Sequence, residues 1–481
     1  MKLNKKLMII AAAGALGAAT ASSALAFDNE FHGSYTLKYF LSNYETGGPG
    51  FLGYKGNSNT PVFSENRKTS NFFDQRLRMF YTAKANDDLK LVTGFEIDTM
   101  FGDKAQGSGA RNAGGAMESD AVSLETKWVY LDFRIPSTPI RVTTGIQPVK
   151  DAFKGVFLDA DLAGVNLAGT FGPAVVNVGY FRAYDQTLFK ATSADNTGLR
   201  GNADLDIVAV STDVNINKNL KVGGAYYLYS DNRNSSPTKI NVFGLNADAK
   251  IGKLGLSGFA AMQQGVRNGT LARQTYNGYA FNAAAKLPIG PGNLRTAFLY
   301  TTGDDGKDGI NTSWQGVVQT QDVTDTTVQP SCNSYNESNM MLMNRAANME
   351  GTQADVNVIN STTFKNQGMI LATIGYDATI TPKLFVNTNV GVAWAAKNNV
   401  TTRINPLTGS NGTNYLGTEV NITAGYKLYD NLTASIQAAY LILGGYYDGV
   451  AVQDPSAAKI VKTGKDPEDP YTARVMLSYA F

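Results

Sequence analysis

Apolar and polar residues alternate one by one along much of this chain. In Tyr471–Phe481 (YTARVMLSYAF), Tyr471, Ala473, Val475, Leu477, Tyr479 and Phe481 share one face. Thr472, Arg474, Met476, Ser478 and Ala480 share the other. Successive side chains of a strand point to opposite faces, so this is an apolar face backed by a polar one. Its terminal aromatic residue suits a membrane–water interface, where amphipathic rings collect.

The same period recurs on both sides of Asn86-Asp87-Asp88. On 71–85, Leu77, Met79, Tyr81 and Ala83 oppose Asp74, Arg76, Arg78, Thr82 and Lys84. On 89–101, Leu89, Leu91, Phe95, Ile97 and Phe101 oppose Lys90, Glu96 and Asp98. A hairpin register centred on Asp87 sets Arg78 against Glu96 and Arg76 against Asp98, so opposite charges meet on one polar wall. Around Tyr429-Asp430-Asn431, Val420, Ile422, Ala424, Tyr426 and Leu428 alternate with Glu419, Asn421, Thr423 and Lys427.

Read through, the pattern predicts strands near 33–43, 71–85, 89–101, 122–135, 140–149, 162–171, 174–184, 203–214 and 220–230. Further strands are expected near 240–251, 253–264, 275–287, 293–302, 367–378, 383–397, 415–428, 432–443 and 471–481. That is about eighteen. Segments 174–184, 203–214 and 253–264 alternate poorly, and discounting weak segments brings the count to sixteen. Tight turns (86–88, 136–139, 172–173, 215–219, 252, 288–292, 379–382, 429–431) alternate with longer loops, including an insertion at 303–366. Strands of about ten residues with short and long connections in turn fit an all-β fold. The expectation is a transmembrane antiparallel β-barrel with short periplasmic turns and long external loops.

The N-terminus changes the compartment. Lys2, Lys5 and Lys6 precede the apolar run Leu7–Ala19, and Ala24-Leu25-Ala26 is a small-x-small site. This predicts a cleaved signal peptide over 1–26, Sec export, and a single barrel domain over 27–481. No later stretch approaches a spanning helix, and hydrocarbon admits only helices and closed barrels. Charged residues are 17%, and the 481 residues include 49 Gly, 24 Tyr and 23 Phe, which suits turns and interfacial girdles. The three signal lysines carry the formal net charge of +2, and without them 39 basic residues face 40 acidic ones. That balance excludes an electrostatic case for nucleic acid.

Several segments resemble Gram-negative outer-membrane porins, most closely those of Geobacter- and Desulfovibrio-type bacteria. They are Gln75–Asp98 (QRLRMFYTAKANDDLKLVTGFEID), Trp128–Pro136 (WVYLDFRIP), Gly145–Gly169 and Gly417–Leu441. The resemblance covers most strands and departs from the family in the 303–366 insertion. It implies a passive, often trimeric channel in contact with outer-membrane lipid.

A barrel of sixteen to eighteen strands leaves an aqueous lumen, and its selectivity comes from the side chains that line it. The expected lining includes Arg76, Arg78, Lys84, Glu96, Asp98, Tyr130, Asp132, Arg134 and Arg141, with basic and acidic groups facing each other to set up a transverse field. Gln147–Asp161 (QPVKDAFKGVFLDAD) is a candidate constriction loop. It carries Lys150, Asp151, Lys154, Asp159 and Asp161 around Phe153 and Phe157, whose burial against the inner wall would be favourable. A compact external loop is the alternative.

Other chemistry is thin. Asp304-Asp305-Gly306-Lys307-Asp308-Gly309 lacks the distal bidentate glutamate of a calcium loop, and Asp and Gly also build ordinary turns. Met340-Met341-Leu342-Met343 is expected to cover a small core of the insertion itself. His32, the one histidine, is expected just before the first strand, and Cys332 is the one cysteine. A multi-histidine zinc site, a Cys-x-x-Cys-His haem site and a phosphate-binding glycine loop all find no sequence support. The expectation is therefore a channel for small hydrophilic solutes and ions, with no enzyme chemistry and no cofactor. Two alternatives stand beside it: the barrel sheath of a cytochrome conduit, and a surface receptor or adhesin that uses 303–366.

Overall fold

The computed structural model describes residues 28–44, 69–102, 124–185, 204–233, 236–269, 273–306, 309–317, 335–343, 367–397, 413–448 and 468–481, together with 63–64, 115–116, 451–452 and 466. The leader expected over 1–26, Lys307, Asp308, Cys332 and much of 303–366 lie outside them.

Eighteen strands form the wall. The first nine are β1 (Asp28–Ser42), β2 (Ser70–Asn86), β3 (Leu89–Met100), β4 (Glu125–Arg134), β5 (Ile140–Lys150), β6 (Asp159–Phe171), β7 (Ala174–Asp185), β8 (Asp204–Asn217) and β9 (Leu220–Asp231). The rest are β10 (Thr238–Ile251), β11 (Leu254–Asn268), β12 (Arg273–Ile289), β13 (Gly292–Thr301), β14 (Met369–Thr379), β15 (Leu384–Ala395), β16 (Tyr415–Tyr429), β17 (Leu432–Leu443) and β18 (Tyr471–Ala480). A two-residue strand, Ile310–Asn311, adds a parallel pairing to the start of β12. All the wall pairings are antiparallel, and β1 pairs with β2 on one side and β18 on the other. Tyr35 thus lies opposite both Leu77 and Tyr479. The Gly33 and Phe481 backbones exchange hydrogen bonds at 2.8 and 3.1 Å, extending that seam to the last residue. The sheet closes on itself, so the wall has no unpaired edge to set against hydrocarbon.

The two faces separate as the alternation predicts. Leu91, Val165, Leu245, Ile374, Val420, Ile436 and Val475 are exposed on the outer face. In water such a belt would be a liability, whereas a hydrocarbon surrounding would accommodate it. On β18, Thr472 and Arg474 are buried on the opposite face. The β2–β3 hairpin has the expected register, with Arg78 opposite Glu96 and Arg76 opposite Asp98. A bulge between Lys84 and Asn86 shortens the turn to Asp87-Asp88, and Asn86 Oδ1 accepts from the Asp88 amide at 2.8 Å.

Three expectations need correction. First, β1 begins at Asp28, so His32 lies within the strand, where its ring stacks on Phe80 at 5.4 Å. Second, β5 extends to Lys150 and β6 starts at Asp159, which leaves only 151–158 as the connection. Lys150, Asp159 and Asp161 are therefore strand residues. Third, the poorly alternating segments at 174–184, 203–214 and 253–264 are full wall strands. Their alternation fails because both faces are apolar. Phe181, Ile207 and Phe259 belong to a buried cluster on the inner face, together with Tyr227, Ile240 and Val242 of the neighbouring strands.

Candidate functional site: the lumen and its inward-folded segments

That inner apolar sector exists because the chain folds back into the barrel. Phe153 and Phe157, from the β5–β6 connection, are fully buried. Phe153 packs on Tyr227 of β9 and Phe259 of β11, with ring centroids at 5.6 and 5.5 Å. Phe157 lies 5.4 Å from Tyr227 and 6.5 Å from Trp314. A turn between β5 and β6 reaches β9 and β11 only by entering the lumen. Gly244 of β10 makes room for it, since a Cβ there would sit 2.4 Å from Phe153 Cε1.

Asp151 holds the turn in shape. Its carboxylate accepts the amides of Phe153 (2.7 Å), Gly155 (2.8 Å), Phe157 (2.6 Å) and Leu158 (2.5 Å). Burial pushes its acidity to about 6, against the pull of those four amides. Lys154 and Gly155 both take positive φ (61° and 78°). That conformation is ordinary for glycine and uncommon for lysine.

A second segment joins the first. Trp314 is fully buried, its Nε1 donates to the Val156 carbonyl at 3.1 Å, and the Val317 amide donates to the Phe157 carbonyl at 2.7 Å. Further along the insertion, the amides of Met341, Leu342 and Met343 donate to the Glu419 carboxylate of β16 at 2.6, 3.0 and 2.7 Å. Met340 lies on Gly391 of β15, where a Cβ would meet its sulfur at 2.4 Å. The methionine run therefore packs on the wall and joins the main buried cluster, instead of covering a separate small core. Lys154 bridges the two inward segments, donating to Glu337 and, at 2.7 Å, to Ser257 Oγ of β11.

The charged residues predicted for the lining share the inner-facing parity of β2–β5, but they pair along the wall and not across the lumen. Arg76 donates Nε and Nη2 to Asp98 at 2.6 and 2.5 Å, and Arg78 Nε donates to Glu96 at 2.5 Å. Arg141 pairs with Asp132, and Lys90 lies 3.6 Å from the same carboxylate. Lys84 pairs with Asp87 at 3.0 Å and Arg134 with Asp88 at 2.8 Å, both at the short-turn end. Tyr130 lies between them on β4, opposite Val92 and Gly145. Neighbouring opposite charges cancel, so this set does not make the transverse field expected of facing groups. Arg76, Glu96 and Asp98 are buried, while Arg78, Tyr130, Asp132 and Arg141 are partly exposed.

Of the five candidate constriction residues, Asp151 and Lys154 lie in the inward turn. Lys150 and Asp159 pair with each other at 2.9 Å at the strand ends, and Asp161 accepts from Lys127 (2.7 Å) and the Trp128 indole (2.8 Å). Asp304 caps its own loop, accepting from the Gly306 and Thr312 amides at 3.2 and 3.3 Å. Sequence reasoning missed Glu419, Trp314 and the Arg295–Asp377 pair (2.5 Å). For the inward segments a signal was present: a run of apolar residues at inner parity in β8–β11, with glycine at 244.

No protein-family model matches the chain, and no curated protein matches it. Solved structures do match over nearly its whole length. OccAB1 of Acinetobacter baumannii is 13% identical with a TM-score of 0.51, covering 94% of this chain and 96% of that one. OpdL of Pseudomonas aeruginosa is 11% identical with a TM-score of 0.52, covering 94% and 99%. The outer membrane protein OpdK of Pseudomonas aeruginosa is 10% identical with a TM-score of 0.52, covering 94% and 98%. At these identities the likeness shows a shared fold: this chain has the barrel architecture that the outer membrane protein OpdK also adopts.

Proposed function

We propose that this protein is an integral outer-membrane porin, a water-filled channel for passive diffusion of small hydrophilic solutes and ions. The observation that carries the reading is the closed eighteen-strand wall, apolar outside and charged on its inner face at β2–β5. Its fold-mate OpdK, described as an outer membrane protein, supports the location. Arg78, Lys84, Tyr130, Asp132, Arg134 and Arg141 line the solute path in this reading, with Arg76, Glu96 and Asp98 as the buried layer that orients Arg78. The turn at 151–158 narrows the path.

Export through a cleaved leader over 1–26, assembly as a homotrimer, and the narrower kinship with Geobacter- and Desulfovibrio-type porins belong to the same proposal. They rest on the sequence segments quoted above. The cytochrome-sheath reading loses ground because Phe153, Phe157, Trp314 and Met340 occupy space inside the barrel that a folded guest would need. Planar-bilayer recording of the purified protein tests the proposal. Stepwise, steady conductance is expected, and its absence would refute the channel.

A further inference from the structure

Four aromatic rings form a strip on the inner face of β1–β4. His32 of β1 stacks on Phe80 of β2 with ring centroids 5.4 Å apart. Phe80 leans across β3 onto Trp128 of β4 at 4.6 Å, and Trp128 lies 6.5 Å from Tyr130. Gly94 of β3 stands between Phe80 and Trp128 in the ladder, and a Cβ there would sit 2.9 Å from Phe80 Cδ1. These positions share the parity of Arg76, Arg78 and Asp132, so the rings face the lumen. His32 is exposed and the other three are half-buried. The inward segments pack on β9, β11, β15 and β16, away from the strip.

The cations that border the strip are all paired. Towards the long-loop end, Arg78 donates to Glu96 at 2.5 Å and Lys127 to Asp161 at 2.7 Å, while Glu125 lies opposite Glu96. Towards the short-turn end, Lys90 and Arg141 share Asp132, and Arg134 pairs with Asp88 at 2.8 Å. Lys84 lies opposite Asp28 in the ladder but pairs with Asp87 at 3.0 Å. Asp28 and Glu30, on the same face of β1 as His32, are exposed and make no ion pair among the described residues. The strip thus combines aromatic rings with exposed carboxylates at one end.

We propose that this strip is a binding subsite for a small organic cation of the quaternary ammonium class. The inference rests on the channel reading and adds a site and a solute class to it. A ring face carries negative charge density, so it attracts a cation, indole most strongly, and disfavours an anion. The Trp128 and Tyr130 planes are tilted by 56°, so neither ring covers the other's face. The Trp128 indole is held in place by its N–H donation to Asp161 at 2.8 Å. A quaternary ammonium has no N–H that needs an acceptor, and its methyl groups can rest directly on the rings. Asp28 and Glu30 raise its concentration at the short-turn end. An uncharged molecule of the same shape gains only the apolar contact.

The test is single-channel recording in potassium chloride with choline or its uncharged isostere 3,3-dimethylbutan-1-ol added. We expect choline to reduce the current with saturation and the alcohol to show no saturation. Trp128→Leu should raise the half-blocking choline concentration about five-fold, and Trp128→Tyr, which keeps a ring face, by less than about two-fold. Migration in unheated detergent gels verifies that each variant is a folded barrel, and Phe80→Leu gives the same readout if Trp128→Leu does not fold. A conducting wild type without saturable choline block, or one blocked equally by the alcohol, would overturn the subsite and leave the channel intact. So would a folded leucine variant blocked as the wild type is, or a Trp128→Tyr variant as weakened as Trp128→Leu. A wild type without conductance would overturn both.

Discussion

The ammonium of Lys154 and the carboxylate of Glu337 meet inside the barrel, 183 positions apart in the chain. One belongs to the turn after β5 and the other to the insertion after β13. Each side chain is only partly buried, at 21% and 32% exposure, so the pair is a clasp between two separately anchored segments and a minor source of stability. Charge reversal tests it. Lys154→Glu should increase current noise in bilayers at least two-fold, and adding Glu337→Lys should restore quiet channels. If the double variant is as noisy as the single, the clasp is not what couples the segments.

Asp151 carries more of the turn's order. Removing its carboxylate by Asp151→Ala strands four buried amides, at a cost on the order of 3 kcal/mol for the local fold. The expected result is larger, fluctuating conductance with the barrel still resistant to detergent denaturation. Unchanged conductance would separate the turn from the solute path.

The pH dependence of the turn has a definite sign. Its folded-state acidity, about 6, lies above the ordinary 3.8, so the folded turn holds a proton that the unfolded one releases. Stability from this group is fully present below about pH 4 and is lost as pH rises through 6. The loss is on the order of 3 kcal/mol for about two units. Noise from the turn is therefore expected to be lower at pH 5 than at pH 8, and Asp151→Asn should remove the difference. Noise that rises on acidification in the wild type would contradict this.

Gly244 is required for close approach and not for backbone freedom. A side chain there meets Phe153, so Gly244→Leu should expel the inward turn and widen the channel. We expect conductance to rise about two-fold, with Phe153→Ala giving a similar rise on its own. A Gly244→Leu channel of wild-type size would show that the turn contributes no resistance.

The arginines of β2 set a different property. Arg76→Ala with Arg78→Ala leaves Glu96 and Asp98 without their partners, and a buried carboxylate stripped of its pair costs about 3–5 kcal/mol. Where the variant folds, reversal potentials across a salt gradient should shift toward cation selectivity. Absence of a shift would remove both residues from the solute path.

Strand positions were legible because an apolar outer face and a polar inner one impose a period of two, which survives in single segments such as β2, β3 and β18. The Arg78–Glu96 register was legible because a tight turn and two charged faces agree on one alignment. The inward segments were less so. Phe153 and Phe157 stood out as apolar residues in a polar connection, but nothing local says which wall receives them. Trp314 and Met340 sit in a long insertion without strand period, and their partners at Val156 and Gly391 are remote in sequence. The weak alternation of β8 and β11 was itself the trace of that covering, read as doubt about strands when it recorded contact on both faces. Parity placed the proposed lining charges on one face of β2–β5, but parity alone cannot distinguish pairs across the lumen from pairs along the wall.

The buried cluster around Phe153, Trp314 and Met340 divides the molecule's greasy surface into two accounts. In the channel reading one faces the bilayer and changes whenever lipid is exchanged for detergent. The other is sealed within the cylinder, touches neither, and answers only to agents that enter from the aqueous ends. Swapping surfactants should leave the interior architecture untouched, while urea admitted through the mouth should loosen it before the hoop of strands gives way.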